Sequence, residues 1–253
     1  MPWWLWPVSG AILGSLVGSF FAALIIRWPQ RRSVIVGRSA CDACGRLLGV
    51  RELVPFFSYL IQRGRCRGCT AAIDPRHWLA EAACAIVGAL AFGIAPGLAG
   101  LAGGLFGWML IALIALDFEH YWLPDRLTLP LLILGLSAGL TGIAPPLGDR
   151  LLGVAAGYLS LAAIALAYKA LRKRDGLGGG DPKLLGAIGA WLGWQALPLV
   201  LLGASGIGLT FVLIQYVRGV RVQATDRLPL GALMAIAAFA IWIAAHALAL
   251  NVN

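Results

Sequence analysis

The sequence predicts an all-α fold, a polytopic membrane helix bundle of about eight transmembrane helices, on three observations. Hydrophobic residues make up 60% of the 253 residues and charged residues only 12%. The mean hydropathy is +0.85, far from the balance of a water-soluble domain. Long apolar runs recur along the chain, separated by short polar stretches. A backbone in hydrocarbon must satisfy its own hydrogen bonds, so each run is expected to form a helix of roughly 20 residues. The runs are too long and too uniformly apolar for barrel strands.

In chain order, spans are expected at Trp4 to Ile26, Trp78 to Ile94, Gly97 to Leu116, Leu127 to Ile143 and Gly148 to Leu171, then Lys183 to Trp194, which is short, Leu197 to Val217 and Leu228 to Leu250. Pro96, Pro145 and Pro198 set the softest boundaries, because a proline either ends a membrane helix or kinks it. No basic residue precedes the first span, so it is expected to stay as an anchor rather than be cut off as a signal peptide. Trp3, Trp4 and Trp6 stand where an outer aromatic belt belongs. Gly10, Gly14 and Gly18 share one helical face, which suits close helix packing. The resulting organisation is a first transmembrane helix (1–27), a cytoplasmic loop domain (28–77) and a membrane-embedded helix bundle (78–253).

The formal charge of +9 raises nucleic acid as a partner, but its distribution points to a membrane instead. With eight spans, every one of the 20 Lys and Arg residues except Arg150 falls on one side. They include those from Arg27 to Arg76, Arg126, the group from Lys169 to Lys183, and Arg218, Arg221 and Arg227. Basic flanks accumulate in the cytoplasm, so both termini are expected on the outer side, and the basic side suits anionic lipid headgroups.

From Arg27 to His77 the chain is polar and about fifty residues long, which is long for a loop without structure of its own. Cys41 and Cys44, then Cys66 and Cys69, form two CxxC pairs. Each pair can present two sulfurs to one tetrahedral ion, and four cysteines make a closed structural zinc site with no open position for catalysis. The competing reading is two disulfides or four idle thiols, and a reducing cytoplasm disfavours the disulfides. Zinc would supply folding free energy to a segment with few apolar residues. Cys84, alone in the second span, reads as a small buried apolar residue.

Ionisable residues at membrane helices are costly and are candidates for function. Asp117 ends the third span in the run LDFEHYWLPD, and Asp181 opens the sixth in GGGDPKLLGAIGAWLG. Both fall at cytoplasmic ends, at one depth, so they can meet. Two adjacent carboxyls share a proton near neutral pH: the ionised one can take a proton from water while the protonated one polarises a peptide carbonyl, the chemistry of an aspartic protease. Gly178, Gly179 and Gly180 would let a substrate backbone approach the carboxylate. The simpler reading of Asp181 is a helix cap followed by Pro182 at the first helical position. Lys183 either tunes an aspartate, binds headgroups or snorkels to the interface. Asp125 is expected to start the next helix. Glu119 and His120 either bond the acidic pair or face water. Glu81, an unpaired acid at bilayer depth, either pairs with a loop arginine or serves a substrate or cofactor.

These residues resemble the type IV prepilin leader peptidase family from about Gly18 to Gly231. The resemblance rests on GSF at Gly18 to Phe20, RWP at Arg27 to Pro29, both CxxC pairs, LVPFFSYL from Leu53 and RGRCRGC from Arg63. It continues through Asp117 with LPDRLTLPLL, GxGD at Gly178 to Asp181, and LPLG at Leu228 to Gly231. It implies a bacterial inner-membrane enzyme that clips the basic leader from prepilins and pseudopilins on the cytoplasmic side, after a glycine. It also implies N-methylation of the new terminal residue with S-adenosylmethionine. Asp117 and Asp181 fall on the cleavage positions, and the four cysteines on the zinc positions. Many members have asparagine where this chain has Ala22 and proline where it has Asp42, and the first departure bears on methylation. No Gly-rich turn for a nucleoside cofactor is visible.

Three rival functions remain at the level of sequence. A transporter would hold its acids near mid-membrane on broken helices. A scaffold would use the zinc module to recruit a secretion partner, with the aspartates as caps. A peptidase without methylation would cleave only.

Overall fold

The computed structural model describes residues 2–34, 39–41, 43–49, 52–173, 176–220 and 227–250. Met1, Arg38, Asp42, Arg51, Arg174, Arg221 and the last three residues lie outside them. Among the described residues every regular element is helical: α1 (Leu5–Arg27), α2 (Phe57–Ile61), α3 (Arg76–Ile94), α4 (Leu98–His120), α5 (Asp125–Leu140), α6 (Leu147–Arg172), α7 (Asp181–Leu192), α8 (Leu197–Val217) and α9 (Leu230–Leu250). Six segments among the described residues are long and apolar enough to cross a membrane, against the eight expected: α1, α3, α4, α6, α8 with the 3-10 turn before it, and α9. α5 has 16 residues and α7 has 12, both short of the roughly 20 that a span needs. Large apolar side chains on these helices face outward, for example Leu202 and Leu209 on α8 and Leu159 and Leu166 on α6. So much exposed apolar surface is compatible with lipid as solvent and not with water.

The helix ends differ from the expected spans in physically legible ways. α4 runs on to His120, so Asp117 lies inside its last turn rather than at its end. α5 stops at Leu140, and Gly142 follows in the left-handed region at φ +80°. Pro198 lies in the first turn of α8, where its missing N–H costs nothing, whereas Pro96 and Pro145 lie between helices.

The chain divides into two compact units, Met1–Ala112 and Leu113–Asn253, with the division inside α4. In the first, α1 packs along α3 through the glycine face. A Cβ on Gly10 would lie 2.2 Å from the Gly88 carbonyl oxygen, one on Gly14 2.1 Å from that of Cys84, and one on Gly18 2.7 Å from that of Ala80. The backbones therefore touch. Cys84 is fully buried at this contact, and its carbonyl accepts a 2.8 Å bond from Trp108 Nε1. Gly14→Val is expected to force α1 and α3 apart and to cost about 3 kcal/mol or more, read as a lowered melting temperature in detergent.

In the second unit, α7 is the core. It packs against α5, α6, α8 and α9, and nearly every residue from Asp181 to Trp191 is buried. This burial is what allows so short a helix to persist. Gly153 on α6 and Gly189 on α7 meet at backbone contact, where either added Cβ would approach the other carbonyl oxygen within 2.4 Å. Trp191 Nε1 donates to the Leu131 carbonyl at 2.8 Å, tying α7 to α5. Arg150, only 1% exposed, donates to five carbonyls: Gly135, Ile143, Ala144, Pro145 and Ala190.

Candidate active site and metal centre

The sequence of α4 places Asp117 on the helix's last turn, and the second unit folds so that α9 begins directly against it. Asp117 Oδ2 accepts the Ala232 N–H at 2.8 Å, and the Gly231 N–H also points to this carboxyl. The first N–H groups of a helix have no partner of their own, so a carboxyl there satisfies them and meets the positive end of the dipole. A Cβ on Gly231 would lie 3.0 Å from Asp117 Oδ2 and 2.6 Å from Leu123 Cδ1. Only glycine leaves that approach open.

Asp181 is the first residue of α7, with Gly180 as the N-cap and Pro182 behind it. The capping geometry expected from the sequence is thus displaced by one residue. Asp181 turns back: its Oδ2 accepts the Gly178 N–H at 3.1 Å. Asp117 and Asp181 are 5% and 8% exposed, and they are near enough that the charge of Asp117 acts on Asp181. Leu123 lies between the two corners, since a Cβ on Gly180 would be 2.7 Å from Leu123 Cβ. Gly178 abuts the Asp181 carboxylate, and Gly179 faces open space.

The other acids have partners of their own. Lys183 Nζ bridges both oxygens of Asp125 at 2.7 and 2.9 Å, pinning the starts of α7 and α5 together. Glu119 and His120 are exposed, 3.6 Å from one another. Glu81, in the first unit, accepts the Phe56 N–H at 3.0 Å rather than pairing with an arginine among the described residues.

The loop of the first unit contains two matching turns. Cys41 N–H donates to the Arg46 carbonyl and Gly45 N–H to the Cys41 carbonyl, each at 2.9 Å; Cys66 with Ala71 and Thr70 with Cys66 repeat both bonds at the same distance. The fourth residue after each leading cysteine is left-handed: Gly45 at φ +71° and Thr70 at φ +57°. Glycine takes that conformation freely, whereas a β-branched threonine is strained there. Short antiparallel bridges, Ala40 with Leu47 and Arg65 with Ala72, close the base of each turn. The sulfurs of Cys41, Cys44, Cys66 and Cys69 all lie within 4.8 Å of one another, so the four can hold one metal ion. The Cys69 and Gly68 backbone N–H groups favour the thiolate at Cys66, while the neighbouring thiols push the Cys69 thiol up, so the first proton of the cluster leaves from Cys66. An Arg46–Glu52 ion pair braces the first turn from outside.

Comparison with known proteins follows the same division of labour. Residues 12–94 match the bacterial peptidase A24 N-terminal domain, and residues 104–213 match the type IV leader peptidase family. A relative from Pseudomonas aeruginosa, named prepilin leader peptidase/N-methyltransferase, is 36% identical over 92% of this chain and 87% of its own length. The chain belongs to the type IV leader peptidase family. A relative of the same name from Klebsiella pneumoniae is 39% identical over 79% of this chain and 91% of its own length. Another from Aeromonas salmonicida is 46% identical over 72% of this chain, which spans 63% of that protein's length. No solved structure matches the chain. The peptidase-family match contains Asp117 and Asp181, and the N-terminal match contains all four cysteines.

Leu123 and the Gly231–Ala232 backbone carried no assigned role at the level of sequence. Leu228 to Gly231 was visible there as an LPLG motif, but a backbone N–H donor has no residue-type signature.

Proposed function

We propose that the protein is a membrane aspartic endopeptidase of the bacterial inner membrane that removes the leader from type IV prepilins and type II secretion pseudopilins on the cytoplasmic side, and that it then N-methylates the exposed residue. The single observation that supports the cleavage step most strongly is the pair of buried carboxyls, Asp117 and Asp181, each held through Oδ2 by a backbone N–H and near enough that the charge of one acts on the other. In this reading one carboxylate takes a proton from water as its oxygen attacks the scissile carbonyl carbon, and the other, protonated, donates to the carbonyl oxygen. The resulting diol collapses, the C–N bond breaks, and a carboxyl returns a proton to the leaving amine. Fixed backbone donors hold both side chains in place during these transfers, so little reorganisation is needed.

Gly179 faces open space beside Asp181, which supports backbone approach of the substrate there. Gly178 and Gly180 serve the same loop by fitting against Asp181 and Leu123. Gly180→Val is expected to push Leu123 aside and shift Asp181, lowering the cleavage rate about 10²-fold; full activity in that variant would count against this geometry.

Residues 28–77 are proposed to form a cytoplasmic module held by structural zinc, with both termini of the chain on the outer side and anionic headgroups against the basic flanks. A tetrahedral ion with Zn–S bonds of about 2.3 Å fits four sulfurs at these separations. Cys66→Ser is expected to lower bound metal and loosen the module while sparing Asp117 and Asp181; unchanged zinc stoichiometry on elemental analysis would refute the four-cysteine site. S-adenosylmethionine is the proposed donor and supplies an electrophilic methyl group. The whole reading is tested by incubating the purified protein with a prepilin peptide, with and without S-adenosylmethionine, and weighing the products. A cleaved leader and a methylated new terminus are expected. Cleavage without methylation would leave a peptidase alone, and no cleavage would end the assignment.

A further inference from the structure

The first unit contains a partly open cavity of about 670 Å³ between the loop module and the ends of α1 and α3, within the range that holds a nucleoside-sized ligand. Its α1 wall includes Ser19, Ala23 and Arg27, and Glu81 closes it from α3. Glu81 is 7% exposed. Its carboxylate is held by two neutral donors, the Phe56 N–H at 3.0 Å and the Ser19 hydroxyl, and has no cation at ion-pair distance among the described residues. A buried carboxylate with neutral donors alone is under-compensated, and a cationic ligand would complete it. Tyr59 and Trp78, in contact at 6.4 Å between ring centroids, line the same space and offer aromatic surface to a base or to a sulfonium.

We propose that this cavity binds the methyl donor, with Glu81 facing the positively charged sulfonium group and the Tyr59–Trp78 pair contacting the adenosine. The inference rests on the N-methylation proposed above and assigns it a place. Arg27, whose guanidinium donates to the Ala40 carbonyl at 3.5 Å, lies on the same wall. Ala22, where many family members have asparagine, is fully buried, next to Ala23 on the cavity wall.

The test is calorimetric binding to the full-length, zinc-loaded protein in nanodiscs, using S-adenosylmethionine and its neutral-sulfur counterpart S-adenosylhomocysteine. Glu81→Gln retains an oxygen for the Phe56 N–H but loses the charge. It is expected to weaken S-adenosylmethionine at least about tenfold and S-adenosylhomocysteine much less. Ser58→Trp, which fills the cavity, is expected to abolish binding of both. Zinc content and melting temperature monitor folding, and should Glu81→Gln lose its zinc, Ser58→Trp decides alone. Wild-type affinity for S-adenosylmethionine in a folded Glu81→Gln, or for either ligand in a folded Ser58→Trp, overturns the assignment while methylation elsewhere in the chain stands. A wild-type protein that binds neither ligand overturns both the cavity and the methylation reading.

Discussion

Asp181→Asn is expected to lower leader cleavage at least about 10³-fold, and Asp117→Asn to do the same, with melting temperature little changed. Asparagine has nearly the same shape and keeps an oxygen that can accept the Gly178 or Ala232 N–H, so the loop before α7 and the start of α9 should hold their geometry. What is lost is the ability to carry a proton or a negative charge, and the proposed reaction needs both from the pair. Single-turnover cleavage of a prepilin peptide, alongside a thermal melt, separates loss of chemistry from loss of fold. Retained cleavage in either variant would end the protease assignment.

Arg150→Met is expected to cost about 3 kcal/mol or more of stability, and to reach Asp181 indirectly. The guanidinium satisfies carbonyls in the α5–α6 connection and the Ala190 carbonyl near the end of α7, where the helix has no N–H of its own to offer. Methionine fills similar volume but leaves those oxygens buried and unpaired. Because α7 carries Asp181 at its other end, loosening the Ala190 contact should also slow cleavage. Arg150→Met with a wild-type melting temperature would show that the five carbonyls find other partners.

The same residue shows why part of the fold was legible in sequence and part was not. Helix positions followed largely from apolar length, because a segment that crosses lipid must be long and apolar. Arg150 stood out as the exception to the charge pattern expected from eight spans, yet nothing in the sequence indicated that five carbonyls surround it. Those partners come from α5, the loop after it and α7, and a backbone carbonyl has no residue-type signature. The cysteine spacing was legible for a related reason: metal ligands must be particular residue types at particular intervals, and all four sulfurs converge. Around the aspartates the residues were legible and their supports were not. Gly231 and Leu123 act through shape and proximity, and Asp181 turns back to Gly178 instead of capping α7, a choice made by the GGG turn. Glu81 was conspicuous as an acid at bilayer depth, but the cavity beside it forms only when the loop folds over α1 and α3.

The central claim is that Asp117 and Asp181 act as one unit on one water molecule. Single-turnover cleavage by the wild type, both single Asn variants and the Asp117→Asn/Asp181→Asn double variant measures this directly. Residues that act together give a double variant no slower than either single one. A double variant whose loss is the product of the two single losses would mean that the carboxyls contribute independently, and would contradict the account.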